Sequence, residues 1–321
     1  MTQLDLFDAP PPPPPATDPQ PATVDKRLAE LAGRLPARLY LGTSSWSFPG
    51  WQGLVYAGRH NKTELSRRGL LAYGQHPLLR TVGIDSTYYR MASAQRLRDW
   101  AQQVPRDFRF LMKAPEELLA PWSRQPGRDN PRYLDAGYAA ERVVGPFLEG
   151  LGEKAGILLL QFPPQGRGIA TEPRRFAERL YRFLAALPKG PRYAVEVRDA
   201  PLYGSELLAA LHHGGALPVL SVHPRAAPPA VQERLYVERP VGPLVVRWML
   251  RRDRAYEEAR ADFAPFNRLL APDPASRALL AGLCRRALAA GDDVYVIANN
   301  KAEGCSPLSL AGLAEAIARE A

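Results

Sequence analysis

Short apolar runs rich in β-branched residues recur along the chain, and reactive polar side chains gather where the runs stop. The stretch Thr81–Lys113 shows the unit whole. Thr81–Ile84 reads as a buried strand that runs into Asp85-Ser86-Thr87-Tyr88-Tyr89-Arg90, an acid, two hydroxyls, two phenols and a guanidinium in six residues. Ser93 stands in an N-cap position, and Leu97, Trp100, Ala101 and Val104 follow at helical spacing. Pro105 ends that helix, and Phe108, Phe110 and Met112 alternate along a second strand that stops at Lys113. Strand, loaded loop, helix, strand is the repeating unit of a parallel sheet.

The same pattern predicts a helix over 25–35, then a strand Leu39–Thr43 and helical patterning over 65–73. A polar loop spans 121–131, and a helix lies around 138–151. Further strands are expected at Ile157–Gln161, Tyr193–Val197, Leu217–Val222, Pro243–Trp248 and Val294–Ala298. Helices are expected over 173–187, 205–213, 251–290 (with a break at 272–274) and 307–319. Eight strands, each followed by a helix or a helix-sized segment, predict an α/β fold, an eight-stranded (β/α)8 TIM-type barrel. An open doubly wound sheet is the rival, but no glycine-rich phosphate fingerprint follows the first strand.

In such barrels the chemistry sits on the loops after the strands. Collecting the strand ends brings Ser44, Trp46, Asp85, Tyr88, Arg90, Lys113, Gln161, Glu196, Arg198, Asp199, His223, Arg247, Asn299 and Asn300 to one rim. Asp85 and Glu196 are the expected general acid/base pair, with Lys113 tuning them. The competing reading is an internal ion network of Glu196, Arg198 and Lys113. Trp46 and Trp51 either plug the barrel mouth or stack a ligand. Arg251, Arg252 and Arg254 follow strand seven, where barrels commonly grip phosphate, and a solvated helix start has the same composition. Oxygen donors at the rim would suit magnesium or manganese. Five scattered histidines do not make a trinuclear zinc cluster.

Ahead of the barrel, residues 1–24 read as a disordered arm and 25–321 as the folded domain. Pro10–Pro15 is a polyproline spacer. The pentapeptide Gln3, Leu4, Asp5, Leu6, Phe7 resembles the peptide by which bacterial replication and repair proteins dock on the DNA sliding clamp; the resemblance implies that clamp as a partner. The formal charge of +9, with Arg far outnumbering Lys, favours DNA or another anionic ligand, or marks a generally basic protein. Cys284 and Cys305 form no disulfide framework or zinc spacing, which points to a reduced, cytoplasmic protein. No apolar run approaches a membrane span, so no membrane association is expected.

Six ordered segments resemble the YecE-like family, the domain of unknown function 72 barrels: GTSSWSFPGW (Gly42–Trp51), IDSTYYR (Ile84–Arg90), the span from Trp100 through Leu118, LLLQFPP (Leu158–Pro164), AVEVRD (Ala194–Asp199) and NNKAEG (Asn299–Gly304). The resemblance implies a barrel and leaves the activity open. Two positions depart from the family pattern. Asp85 stands where the family carries Glu, and Arg247-Trp248-Met249-Leu250 replaces a segment ending Leu-His-Gly, so a histidine is missing. Three functions fit these observations: a DNA-associated phosphodiester hydrolase or lesion processor held at the clamp, an acid/base enzyme acting on a sugar or phosphorylated metabolite, or a binding or scaffold protein without turnover.

Overall fold

The computed structural model describes residues 18–123, 129–237 and 242–319. Eight parallel strands close into a barrel in sequence order, each paired with its chain neighbours and the last with the first. They are β1 (Leu39–Thr43), β2 (Leu79–Ile84), β3 (Arg109–Lys113), β4 (Ala155–Gln161), β5 (Arg192–Glu196), β6 (Ala216–Val222), β7 (Leu244–Trp248) and β8 (Val294–Ala298). The expected barrel is therefore the observed one.

The alternation of strand side chains explains how the interior changes from apolar to charged. Leu111, Leu159, Ala194, Val219, Val245 and Ile297 form one buried cluster with Ile157 and Tyr295. In a strand, residues two apart share a face. Two residues beyond these six come Lys113, Gln161, Glu196, Ser221, Arg247 and Asn299. An apolar plug thus floors a polar layer at the C-terminal ends of the strands. The other strand face packs outward against the helices, in a larger cluster that includes Phe110, Leu158, Leu160, Val195, Val246 and Val296.

The helices follow local signals. Asp25 accepts from Arg27 N at the start of Lys26–Arg34, and Ser93 accepts from Arg96 N before Ala94–Ala101. Asn61 and Glu64 form a reciprocal capping box before Lys62–Arg68. The long helix Pro173–Ala186 buries Phe176, Leu180 and Phe183 on one face.

Three expectations need correction. The stretch 251–290 holds two separated helices, Tyr256–Phe263 and Pro274–Ala289. The chain leaves the first at Pro265, whose ring cannot continue a helix, so the break is longer than the 272–274 prolines indicate. A helix at Pro229–Val237, not expected from the pattern, covers β6. Residues 18–24 belong to the barrel rather than to the arm: Asp18 pairs with Arg68 at 2.5 Å, and Ala22 N donates to Val55 O at 3.0 Å. The pentapeptide Gln3–Phe7 and the polyproline lie outside the described residues. Among those described, no helix is long and apolar enough to cross a membrane.

Candidate functional site

Arg247, on the inner face of β7, is the hub of the polar layer. It is 1% exposed. Its Nη1 donates to Glu196 Oε2 at 2.6 Å and to Gln161 Oε1 at 3.2 Å. Its Nη2 donates to both oxygens of Asp85, at 3.1 and 2.9 Å. A planar guanidinium can hold several acceptors at fixed angles, which an ammonium cannot. One side chain therefore ties together the ends of β2, β4, β5 and β7.

Glu196 is fully buried and held from three sides. Arg247 and Arg198 bind its two oxygens, Arg198 Nη2 at 2.7 Å, and Ser221 Oγ donates to Oε1 at 2.7 Å. Burial pushes the carboxyl up, but the charges of Arg198 and Arg247 and the hydrogen bonds from Arg247 and Ser221 outweigh it, leaving Glu196 at about 2. Glu196 is thus a fixed anion. The expected role of Glu196 as a general acid/base is corrected for that reason: an acid/base group must exchange its proton near the working pH. The Glu196–Arg198 half of the internal-network reading is observed, with Arg247 in place of Lys113.

Lys113, at the end of β3, is 8% exposed. Its Nζ sits 3.6 Å from the centroid of the Tyr88 ring. Burial pulls the amine down to about 8; Asp85 and Glu196 oppose this through space, while Arg247 and Arg198 add to it. Tyr88 donates to Glu116 Oε1 at 3.3 Å, and burial raises its phenol. His223, after β6, is held neutral, pulled down to about 3 by burial and by the nearby Arg198. Its Nδ1 accepts from Arg225 N at 3.1 Å. Burial thus brings Lys113 towards neutrality, whereas Glu196 and His223 are moved away from it.

Asp85, Lys113, Glu196 and Asn299 do share one end of the barrel. Asn299 donates to Ser44 Oγ at 2.8 Å and accepts from Lys301 Nζ at 3.3 Å. Lys301 in turn feels the charge of Asp85.

Other predicted residues go elsewhere. Trp46 is tied into the helical layer: its Nε1 donates to Leu65 O at 2.9 Å, and its ring packs edge-on against Trp100. Trp51 is fully buried. Asn300 is buried at the start of the last helix, its Oδ1 accepting from Ser306 N and Oγ at 2.8 Å. The three arginines after β7 have internal partners. Arg251 forks onto Asp253 and bonds the carbonyls of Ala271 and Pro272. Arg252 bonds the carbonyls of His223, Ala226 and Ala227. Arg254 pairs with Asp262 at 2.7 Å. The phosphate grip expected of Arg251, Arg252 and Arg254 is corrected accordingly: their N–H groups buttress loops and helix starts. Asp199 accepts from Gln165 N at 2.7 Å and fixes the loop after β4, and Arg90 is exposed at the rim.

Sequence reasoning passed over Ser221, Gln232 and Lys301. Ser221 was within reach, because it lies two residues beyond an interior valine on β6. Gln232 was not: from the helix Pro229–Val237 it accepts from Ser221 N at 2.7 Å and donates to Ser221 O at 2.9 Å and Ala227 O at 2.7 Å, a long-range brace with no local signature.

The oxygen set does not suit a divalent metal. Asp85, Gln161 and Glu196 are each already bonded by arginine, and among the described residues no group of three or more His, Cys, Asp or Glu side chains is arranged to ligate one.

The family model described as protein of unknown function DUF72 matches residues 40–321. The chain belongs to the DUF72 family. Solved DUF72 structures share its fold. One DUF72 protein from Enterococcus faecalis is 18% identical, with a TM-score of 0.57 over 87% of this chain and 95% of that one. Another, from Thermotoga maritima, is 20% identical, with a TM-score of 0.50 over 86% and 97% of the two chains. Among curated proteins there is no match. Trp248 is fully buried, and Leu250 packs with Ala259 and Phe263.

Proposed function

We propose that the barrel is an acid/base enzyme that binds a small anionic metabolite at the mouth, with Lys113 as the proton-transfer group. One observation carries this reading. The polar layer holds Arg198, Arg247, Lys113 and Lys301 against Asp85 and Glu196, and Arg198 Nη1 is buried with no hydrogen-bond partner among the described residues. Buried N–H groups are normally paired, and an unpaired one on a charged group costs the most. A phosphate or carboxylate would satisfy the donor and balance the charge, and guanidinium forks match such oxygens. Trp46 and Arg251–Arg254, on which a nucleic-acid reading leaned, have the internal roles described above.

Inorganic phosphate should raise the unfolding midpoint of the whole chain over chloride at matched ionic strength. At ten times its Kd it adds about 1.4 kcal/mol of stability. Arg198→Gln should abolish the gain. An identical gain in the variant, or none in either protein, counts against the site.

The arm supports a separate reading about location. Gln3, Leu4, Asp5, Leu6 and Phe7 match the clamp-docking pattern at all five positions, with a run of six prolines, Pro10–Pro15, behind them. Leu6→Ala/Phe7→Ala should lose retention on immobilised sliding clamp; equal retention of the two proteins ends the idea.

A further inference from the structure

The chain has six lysines among 42 basic residues, so arginine has taken almost every position where a cation is wanted. Lys26, Lys62 and Lys189 are exposed. Lys154 ties down a helix end, donating to Ala101 O at 2.6 Å and Val104 O at 2.7 Å. The remaining two, Lys113 and Lys301, are both buried beside Asp85 at the mouth of the barrel. In a chain that mostly uses arginine, two of the six lysines are buried at this one site. What lysine offers there and arginine does not is a nitrogen that can give up its proton and its lone pair.

We propose that Lys113 is a covalent nucleophile that forms an imine with a small aldehyde or ketone bearing an anionic group, the anion resting on Arg198. The proposal rests on the anion-binding reading above and refines the role of Lys113: the proton it gives up frees its lone pair for a carbonyl. Amines desolvated next to other cations are the ones that serve as imine-forming lysines. Lys113 meets both conditions: it is 8% exposed, and the Arg198 and Arg247 guanidiniums disfavour its charged form against the pull of the Tyr88 ring face 3.6 Å away. The other ionisable groups that act on it are Asp85 after β2 and Glu196 at the end of β5. Asp85 is bound through both oxygens by Arg247, and Glu196 by Arg247 and Arg198, so neither sits on the amine as a tight ion pair.

The step balances without an outside oxidant or reductant. The Nζ lone pair attacks the carbonyl carbon, forming a C–N bond while the C=O π pair moves to oxygen. The nitrogen loses a proton and the oxygen gains one, giving a carbinolamine. Loss of its hydroxyl as water, with a second proton from solvent, leaves a C=N⁺ iminium on Lys113. Borohydride then delivers hydride to that carbon and fixes the adduct as a secondary amine.

The test is reductive trapping on the full chain with glyceraldehyde 3-phosphate and borohydride, read by peptide mass mapping. Uncharged glyceraldehyde is the control. The phosphorylated aldehyde should label Lys113 on the order of tenfold more than Lys26, Lys62 or Lys189. Inorganic phosphate should protect Lys113, and glyceraldehyde should show no such preference. Lys113→Arg should lose the adduct while phosphate still raises its unfolding midpoint. Labelling confined to the exposed lysines or to Lys301 overturns the proposal. If phosphate stabilises the wild-type chain and Lys113 stays unlabelled, the anion site stands and the imine falls; if neither occurs, both fall.

Discussion

Arg247→Met should destabilise the protein by about 3–5 kcal/mol at pH 7, the largest effect expected of any single change in the polar layer. The methionine fills much of the space but leaves Glu196 buried with Arg198 as its one remaining cation, and releases Asp85. The cost is that of an uncompensated buried charge rather than of one lost contact. Its pH dependence identifies the cause. In the wild-type protein Glu196 titrates at about 2 against an ordinary value of 4.5. The stability it contributes is therefore complete above pH 4.5 and lost as pH falls from there towards 2. The gap between wild type and Arg247→Met should be widest above pH 5 and close through that window. Adding Glu196→Gln to the variant should recover part of the loss, since the stranded charge is gone. Urea unfolding at several pH values measures all three. A variant within about 0.5 kcal/mol of wild type at pH 7 would remove Arg247 from the centre of the layer.

Lys113→Met should do the opposite. The amine titrates at about 8 instead of 10.5, which corresponds to roughly 3 kcal/mol of unfavourable burial while it is charged. Removing the charge should stabilise the barrel by about 1–3 kcal/mol at pH 7, less what the contact with Tyr88 contributes. Here the folded state releases its proton first, so the wild-type chain gains stability as pH rises from about 8 to 10.5. The advantage of Lys113→Met should shrink over that range and vanish above it. If the variant is no more stable at pH 7, and the difference between the two proteins is flat from pH 8 to 10.5, the amine is not held under strain. The contrast between the two substitutions is informative in itself. Arg247 is a cation that the fold needs. Lys113 is one that the fold tolerates at a cost, which the proposed chemistry would account for.

Gln232 shows how far such a layer depends on residues outside it. Its amide bonds the backbone of Ser221 in both directions, and so sets the hydroxyl that completes the cage around Glu196.

Much of this was legible along the chain. Eight alternating apolar runs imply a closed parallel barrel, because a parallel sheet must be covered on both faces and its crossovers need helices. The same alternation of side chains places Lys113, Gln161, Glu196, Arg247 and Asn299 on one inner rim, since each ends a strand whose apolar residues point inward. The caps at Asp25, Asn61 and Ser93 are local hydrogen bonds and read locally. Partnership is another matter. Whether a carboxylate is a base or a pinned anion depends on which guanidinium reaches it, and Glu196 meets Arg247 only across 51 residues of chain. Arg251, Arg252 and Arg254 look like a phosphate grip in one dimension, but their acceptors lie on segments as distant as His223 and Pro272. Strand identity and facing are properties of residue spacing, which sequence contains. Charge pairing and burial are properties of distance between remote segments, and these arise only once the barrel closes.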